Sequence, residues 1–299
     1  MNLAIVLALS AGLFFGMLSL AYKYADMKQC RSAQFTFVLS LCAAGITFIK
    51  SFTETSMWDD PVLWGLGASM GGVIVVGIFV LMAANRLGPV YSSWTVVNVS
   101  FLLAIFLSAI LLQEQLLCVD SINLMIFGGT LYLFLRGMRA ESGTAKSVSH
   151  TYLHLFALLG VFLTNGLVAF ASKLKYTFWG DANTSALPTV FYLVSALITW
   201  VMIQRKHGRL EISKDEWAAG ALGGLLMSLG TILFLTAMSL PAAAVFPITQ
   251  GTSLTAGVAL TTLIAKERLN RWMVLGVLVG LLLLFAVIYR ETTATWLCG

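Results

Sequence analysis

Charged side chains are scarce in this chain. Lys, Arg, Asp and Glu together make up only 10% of the 299 residues, whereas hydrophobic residues make up 59%. An ordinary soluble domain carries about a quarter charged residues, so this composition excludes a protein that faces water on all sides. The net charge of +5 does not indicate nucleic-acid binding, because the basic residues of so apolar a chain mainly report membrane topology.

The sequence also contains few residues suited to metal binding, disulfide formation or catalysis. His150 and His154 are one helical turn apart but have no acidic or cysteine partner in the sequence around them. We find no phosphate-binding loop, nucleophile elbow or zinc-protease helix. The few cysteines lack the spacing of a metal site or a disulfide framework: Cys30, Cys42, Cys118 and Cys298. We therefore expect no metal, no cofactor and no enzymatic activity; an intramembrane enzyme is the remaining catalytic alternative.

Long apolar runs are what the sequence does contain. They are continuous rather than alternating, which excludes a transmembrane barrel and favours helices that satisfy their own backbone hydrogen bonds. Runs of about 20 apolar residues suffice to cross a bilayer. We predict an all-α integral membrane protein of ten transmembrane helices, at about 2–22, 33–49, 61–84, 89–112, 118–135, 151–172, 186–203, 217–239, 242–264 and 270–289.

The chain repeats itself. Glu114 and Glu267 each end an apolar run and lie 153 residues apart. The same shift, without a gap, aligns Trp64/Trp217, Gly67/Gly220, Gly71/Gly224, Gly77/Gly230 and Ser100/Ser253, and a shift of 150 aligns Gly16/Gly166, Ala21/Ala171 and Lys23/Lys173. We interpret residues 1–140 and 151–299 as two five-helix repeats joined by a loop at 141–150. Because five is odd, the repeats have inverted topology, the common architecture of secondary transporters.

Small residues recur one helical turn apart in both halves. Gly67 and Gly71 in the first half match Gly220 and Gly224 in the second. Such faces let helix backbones approach closely in a membrane, where no hydrophobic force drives association. We expect these faces to be packing seams between helices and not ligand contacts.

Each half also follows one order of elements. A helix with small residues leads through a short turn ("AANRLGPVYSS", "TAMSLPAAAVF") into a helix that ends in glutamate plus leucine, and a glycine-bearing helix follows. This order resembles the drug/metabolite transporter superfamily, EamA-like ten-helix branch, although Gln113-Glu114 and Lys266-Glu267 stand where that family usually has Gly-Glu. The resemblance implies export of a small metabolite across a bacterial inner (plasma) membrane. We expect a monomer or homodimer with a small-molecule substrate and no nucleic-acid partner.

Glutamates and lysines mark equivalent corners of the two repeats. Glu114 and Glu267 fall at the membrane edge, where an anchor for the adjoining turn is favoured over a proton-coupling group, which belongs within the span. Lys23 and Lys173 end the first helix of each repeat, and we expect them to extend to the interface. All thirteen Asp and Glu residues fall in loops or at the ends of predicted spans, which argues against a proton relay or a permanently cationic substrate unless aromatic rings bind the cation.

Uncharged polar and aromatic side chains gather in otherwise apolar helices. They can form a substrate chamber at the interface of the repeats, because binding sites are mostly apolar with a few convergent polar groups; bonds between helices are the alternative. The predicted substrate-binding residues are Tyr91, Trp94, Asn98, Thr164, Asn165, Thr199, Trp200, Ser228, Thr249, Gln250 and Ser253. We expect a secondary transporter of a small neutral or zwitterionic metabolite such as an amino acid, working by alternating access. The alternatives are a translocator of a lipid or lipid-linked head group and a bundle that transports nothing.

Membrane orientation receives two opposite predictions. Numbering the loops from the N-terminus, odd loops hold 14 basic residues, and even loops with the termini hold 4. The positive-inside rule then places odd loops in the cytoplasm and both termini outside. The family resemblance implies the reverse.

Overall fold

The computed structural model describes residues 3–54, 60–87, 90–114, 118–139, 148–180, 184–265 and 271–288, and all secondary structure in these ranges is helical. Six of the helices are long and apolar enough to cross a membrane, which indicates an integral membrane protein. The helices are α1 (Leu3–Met27), α2 (Ser32–Ser51), α3 (Pro61–Leu87), α4 (Val90–Val99), α5 (Phe101–Leu111), α6 (Cys118–Arg139), α7 (Val148–Trp179), α8 (Ala186–His207), α9 (Lys214–Thr236), a 3-10 turn (Ala237–Ser239), α10 (Ala242–Ala265) and α11 (Arg271–Ile288).

The helices follow the predicted apolar runs but extend beyond them. α1 continues to Met27, and α7 already begins at Val148, within the segment expected to be a loop. The expectation counted apolar residues only, whereas a helix can continue through the polar interface as long as its backbone remains bonded. The fourth predicted span is interrupted at Ser100, between α4 and α5, where the Ser100 hydroxyl donates to the Val97 carbonyl at 2.6 Å. Serine side chains compete in this way with the helical bonding pattern.

Helices of the first half pack mainly on helices of the second half. α1 contacts α9 and α10, α2 contacts α8 and α9, and α3 contacts α7 and α8. α7 contacts α3, α4 and α5, and α6 contacts α11. α7 corresponds by its place in the chain to α1, α9 to α3, and α10 to α4 and α5. The contacts of α7 with α3, α4 and α5 are therefore the counterparts of the contacts of α1 with α9 and α10.

Glycines set the closest of these approaches. A Cβ on Gly71 would lie 2.7 Å from the Phe191 carbonyl oxygen of α8, and one on Gly224 would lie 2.5 Å from the Leu39 carbonyl oxygen of α2. Real Cβ atoms essentially never come so near, so these positions require glycine. The prediction that these glycines form packing seams is confirmed.

Polar contacts join the helix connections at two faces of the bundle. At the first face, the Nε of Arg31, after α1, lies 2.9 Å from Glu216 Oε1 at the start of α9, and Arg86 at the end of α3 donates to the Cys30 carbonyl at 3.2 Å. At the second face, Ser185 before α8 donates to Glu54 after α2 through both its backbone N–H, at 2.9 Å, and its hydroxyl, at 2.8 Å. Each face therefore ties one half of the chain to the other.

Candidate substrate cavity

A cavity of about 130 Å³ lies between the two halves. α1, α3, α4 and the Ser100 break contribute its walls from the first half, and α7, α8, α9 and α10 contribute them from the second. The cavity reaches α4 where the helix is interrupted at Ser100. Every lining side chain that the structure describes is uncharged.

Most lining positions correspond to each other in the sequence repeat. Ser100 and Ser253, 153 residues apart, both face the cavity, as do Tyr22 and Ser172, 150 residues apart. The register that aligns the two halves of the sequence therefore pairs most of the lining positions with one another. The complete set of such pairs is Phe15/Asn165, Leu18/Val168 and Tyr22/Ser172 at a shift of 150, and Ile74/Met227, Leu81/Phe234, Val97/Gln250 and Ser100/Ser253 at a shift of 153.

Hydroxyl and amide groups give the cavity its chemistry. The Tyr192 and Thr231 hydroxyl oxygens lie 2.9 Å apart in a hydrogen bond that joins α8 to α9. The Asn165 amide donates to the Val161 carbonyl of its own helix at 3.0 Å. Such groups can donate to and accept from a ligand, and Phe15, Phe191 and Phe234 add apolar rings to the same wall.

Several predicted substrate-binding residues meet at this cavity. Asn165, Gln250 and Ser253 line it, and Thr164 lines a smaller cavity of about 60 Å³ that shares part of the same wall. Thr249 is fully buried on α10. Asn98 is fully buried in α4 and also does not line the cavity.

Other predicted residues lie elsewhere. Thr199 and Ser228 are buried but donate to carbonyls of their own helices, at 2.8 Å to Ser195 and 2.9 Å to Leu225. Trp200 lies on the outer surface of α8 and is 42% exposed. Successive residues of a helix point about 100° apart. Because Thr199 points into the bundle, Trp200 points away from it. The side chains of Tyr91 and Trp94 lie outside the described part of the chain.

Sequence reasoning missed several polar residues of the wall, among them Tyr22, Ser172, Tyr192 and Thr231. Each looks like an ordinary residue of an apolar helix when it is read alone. The repeat carried the missing signal for Tyr22 and Ser172, because the shift that aligns Lys23 with Lys173 also aligns these two. Tyr192 and Thr231 have no such signal in the sequence, since their importance arises from the hydrogen bond between α8 and α9.

A buried ion pair stands next to the cavity wall, one residue beyond Ser172. Lys173 Nζ lies 2.7 Å from Glu114 Oε1, and 3.4 and 3.1 Å from the carbonyl oxygens of Met238 and Leu240. The other Glu114 oxygen accepts the N–H of Ala242, the first residue of α10, at 3.1 Å. Glu114 thus holds a turn of the other half, whereas Lys173 is buried instead of extending to the interface.

The equivalent pair of the other repeat is Lys23 and Glu267. Lys23 is half-buried near the end of α1, and Glu267 lies outside the described residues. The anchoring role of this second corner stays a prediction.

Comparison with known proteins gives the fold alone. No family model and no curated protein matches this chain. A solved structure described as "Crystal structure of protein" superposes with a TM-score of 0.76 over 99% of this chain and 98% of its own length, at 16% sequence identity. At that identity the likeness extends to the arrangement of helices and not to activity.

Proposed function

We propose that this chain is a secondary transporter of ten transmembrane helices in two inverted five-helix repeats, and that its substrate binds in the cavity between the halves. The observation that carries the proposal is the cavity wall, which is uncharged and built from equivalent positions of both repeats. Substrate sites of inverted-repeat transporters lie at the repeat interface. Reciprocal helix packing, which survives exchange of the halves, supports the same arrangement.

The size and chemistry of the cavity favour a small neutral or zwitterionic metabolite such as an amino acid. Its volume of about 130 Å³ is below the roughly 300 Å³ at which sites for drug-sized ligands begin. Hydroxyls and amides can bind a carboxylate, a carbonyl or an ammonium group without a fixed counter-charge. Aromatic rings at Phe15, Phe191 and Tyr192 add apolar and cation–π surface.

Contacts at the two faces support a mechanism of alternating access. The Lys173–Glu114 pair and the Glu54–Ser185 bonds tie the halves at the second face, and the Arg31–Glu216 pair ties them at the first. Opening one side requires the ties of that side to break while those of the other remain. Because the repeats are equivalent, the two open states are of similar construction. The resemblance noted in the sequence adds export as the direction.

Flux in sealed vesicles tests the proposal. Purified protein in liposomes should exchange a labelled amino acid or a related small metabolite faster than empty liposomes do. The double variant Asn165→Leu/Gln250→Leu should lose this flux, whereas Trp200→Leu, on the outer surface, should keep it. Absence of flux across a panel of amino acids, amines and related metabolites would contradict transport of a small metabolite. Flipping of a fluorescent lipid in the same vesicles would indicate instead a translocator of lipid or of a lipid-linked head group.

A further inference from the structure

A second and larger cleft opens at the first face, at the ends of α2, α3 and α8. Its volume is about 510 Å³. It shares no described lining residue with the central cavity. Three of its lining residues are the cations Arg31, Arg86 and Lys206, and none of its lining residues in the described ranges is acidic.

Two of these cations keep their charge available. Arg31 is neutralised by Glu216, which it contacts through Nε and Nη2 at 2.9 and 3.0 Å. Arg86 uses one donor for the Cys30 carbonyl, which leaves most of the five N–H groups of its guanidinium. Neither Arg86 nor Lys206 forms an ion pair with a carboxylate in the described residues. Arg86 and Lys206 together therefore place about two positive charges at one cleft.

The start of α2 adds backbone donors at the same place. The first N–H groups of a helix have no acceptor within it, and here the Arg31 side chain does not cap them. Ser32 and Ala33, at this helix start, line the cleft. A helix of 20 residues also directs the positive end of its dipole toward this point.

Gln34 is the independent sign that something binds there. Its side chain lines the cleft and is only 2% exposed, yet its Nε2 has no hydrogen-bond partner. A buried donor without an acceptor is costly, so the position calls for an acceptor supplied from outside the chain. Two cations, the helix N–H groups and this amide nitrogen all offer hydrogen-bond donors to the cleft.

We propose that this cleft binds a phosphate group that carries negative charge. Basic pockets between transmembrane helices near a membrane surface hold anionic head groups in this way. Phe79, Met202 and Ile203 form an apolar wall beside the cations, and Met202 is 41% exposed on the outside of the bundle. That wall suits the upper acyl chain of a lipid, while the polar part alone would suit a soluble phosphate. The proposal does not depend on what the central cavity carries.

Thermal unfolding of the detergent-purified full chain tests the site, because a ligand stabilises the state that it binds. The probes are dioctanoyl phosphatidylglycerol, dioctanoyl phosphatidylcholine and inorganic phosphate, each at matched ionic strength. Phosphatidylglycerol should raise the unfolding temperature and phosphatidylcholine should not, because its choline cation meets Arg86 and Lys206. If only phosphatidylglycerol acts, the site takes a lipid head group; if inorganic phosphate acts equally, it takes a free phosphate.

Variants test whether the phosphate probe binds at this cleft. Arg86→Gln/Lys206→Gln should weaken the apparent affinity by about tenfold or more, since each loses a charge-assisted hydrogen bond. The control Arg205→Gln/Arg209→Gln changes the net charge equally on exposed residues outside the cleft and should leave the affinity unchanged. Gln34→Leu should weaken binding while the ligand-free protein unfolds at the same temperature or higher, which a merely structural role would not produce. No shift with any phosphate probe, an equal shift with phosphatidylcholine, or a shift that survives both Arg86→Gln/Lys206→Gln and Gln34→Leu would overturn the proposal.

Discussion

Gln250 and Trp200 were both predicted to bind substrate, but only Gln250 faces the central cavity. A net hydrogen bond contributes about 0.5–1.5 kcal/mol. We therefore expect Gln250→Leu to raise the half-saturating substrate concentration by about threefold to tenfold. Trp200→Leu should leave it unchanged, because this side chain lies on the outside of the bundle. Concentration series of uptake into liposomes measure both, and equal effects of the two variants would contradict the placement of the substrate.

Glu114 and Lys173 differ from the exposed pair Arg209–Glu211, although the nitrogen–oxygen distance is 2.7 Å in both. Lys173 is 5% exposed and Glu114 24%, so Glu114→Gln leaves a buried ammonium without its counter-ion. We expect a loss of about 3 kcal/mol, the lower end for a fully buried pair, because Glu114 keeps some contact with solvent. Arg209→Gln should cost about 0–1 kcal/mol.

Thermal and denaturant unfolding of the purified variants separate the two pairs. Adding Lys173→Met to Glu114→Gln should recover part of the lost stability, because the uncompensated charge is then removed. Substrate affinity should change less than stability does. A Glu114→Gln protein as stable as the parent chain would show that the corner does not depend on this carboxylate.

α2 and α9 pack closely at Gly224 because glycine has no side chain. A Cβ there would meet the Leu39 carbonyl oxygen at 2.5 Å, and backbone atoms cannot move aside as a flexible side chain does. We expect Gly224→Ala to cost about 1–3 kcal/mol. Gly72→Ala is the matched control, since a Cβ there meets nothing within 4 Å and alanine favours the helix by up to about 1 kcal/mol. Unfolding temperatures of the two purified variants test this expectation. Equal temperatures would show that the contact between α2 and α9 does not require glycine at position 224.

Long apolar runs identified the helices, and small residues one helical turn apart located their seams, because both signals depend on local composition. The ends of α1 and α7 were underestimated, since helical bonding continues where hydrophobicity stops. The break at Ser100 escaped notice because a single serine within an apolar run gives no warning. Which face of α8 points inward could not be read either. Thr199 and Trp200 are neighbours, and in a membrane a tryptophan is accommodated as readily by lipid as by a core.

The ion pair across the halves shows a further limit of the sequence. Glu114 was expected to bond its own corner, yet it binds Lys173 and the start of α10. The register gave the equivalence of Lys173 with Lys23 and of Glu114 with Glu267, but not that one repeat's glutamate meets the other's lysine. That pairing arises from packing helices of one half on those of the other. The second corner should follow the same rule, with Glu267 close to Lys23.

Orientation of the whole bundle can be decided with two introduced cysteines. After Cys30, Cys42, Cys118 and Cys298 are replaced by serine, Thr53→Cys reports the second face and Arg209→Cys the first; both positions are exposed. The excess of basic residues on the first face favours its location in the cytoplasm. A membrane-impermeant thiol reagent on intact cells should then label Thr53→Cys and spare Arg209→Cys until the cells are opened. The opposite labelling would show that the orientation implied by the family resemblance holds.

Energy coupling follows from the absence of charge in the central cavity. Coupling to protons needs a group that exchanges its proton when substrate binds, within the part of the pathway that both sides reach in turn. Among the described residues, no carboxylate or histidine lines the cavity, and Lys173, one residue beyond it, is engaged by Glu114 and two carbonyls. We therefore expect uniport or substrate–substrate exchange.

Liposomes with an imposed pH gradient provide the measurement. Collapsing the gradient with a protonophore should leave the initial rate and the final substrate level little changed, whereas unlabelled substrate inside the vesicles should accelerate uptake of labelled substrate. Glu114→Gln should lower the amount of folded protein recovered, but the folded fraction should still exchange substrate at the same external pH. Accumulation of substrate against its gradient only while the pH gradient lasts, lost in folded Glu114→Gln, would overturn this. It would also make Glu114, the carboxylate that joins α5, α7 and α10, the coupling site.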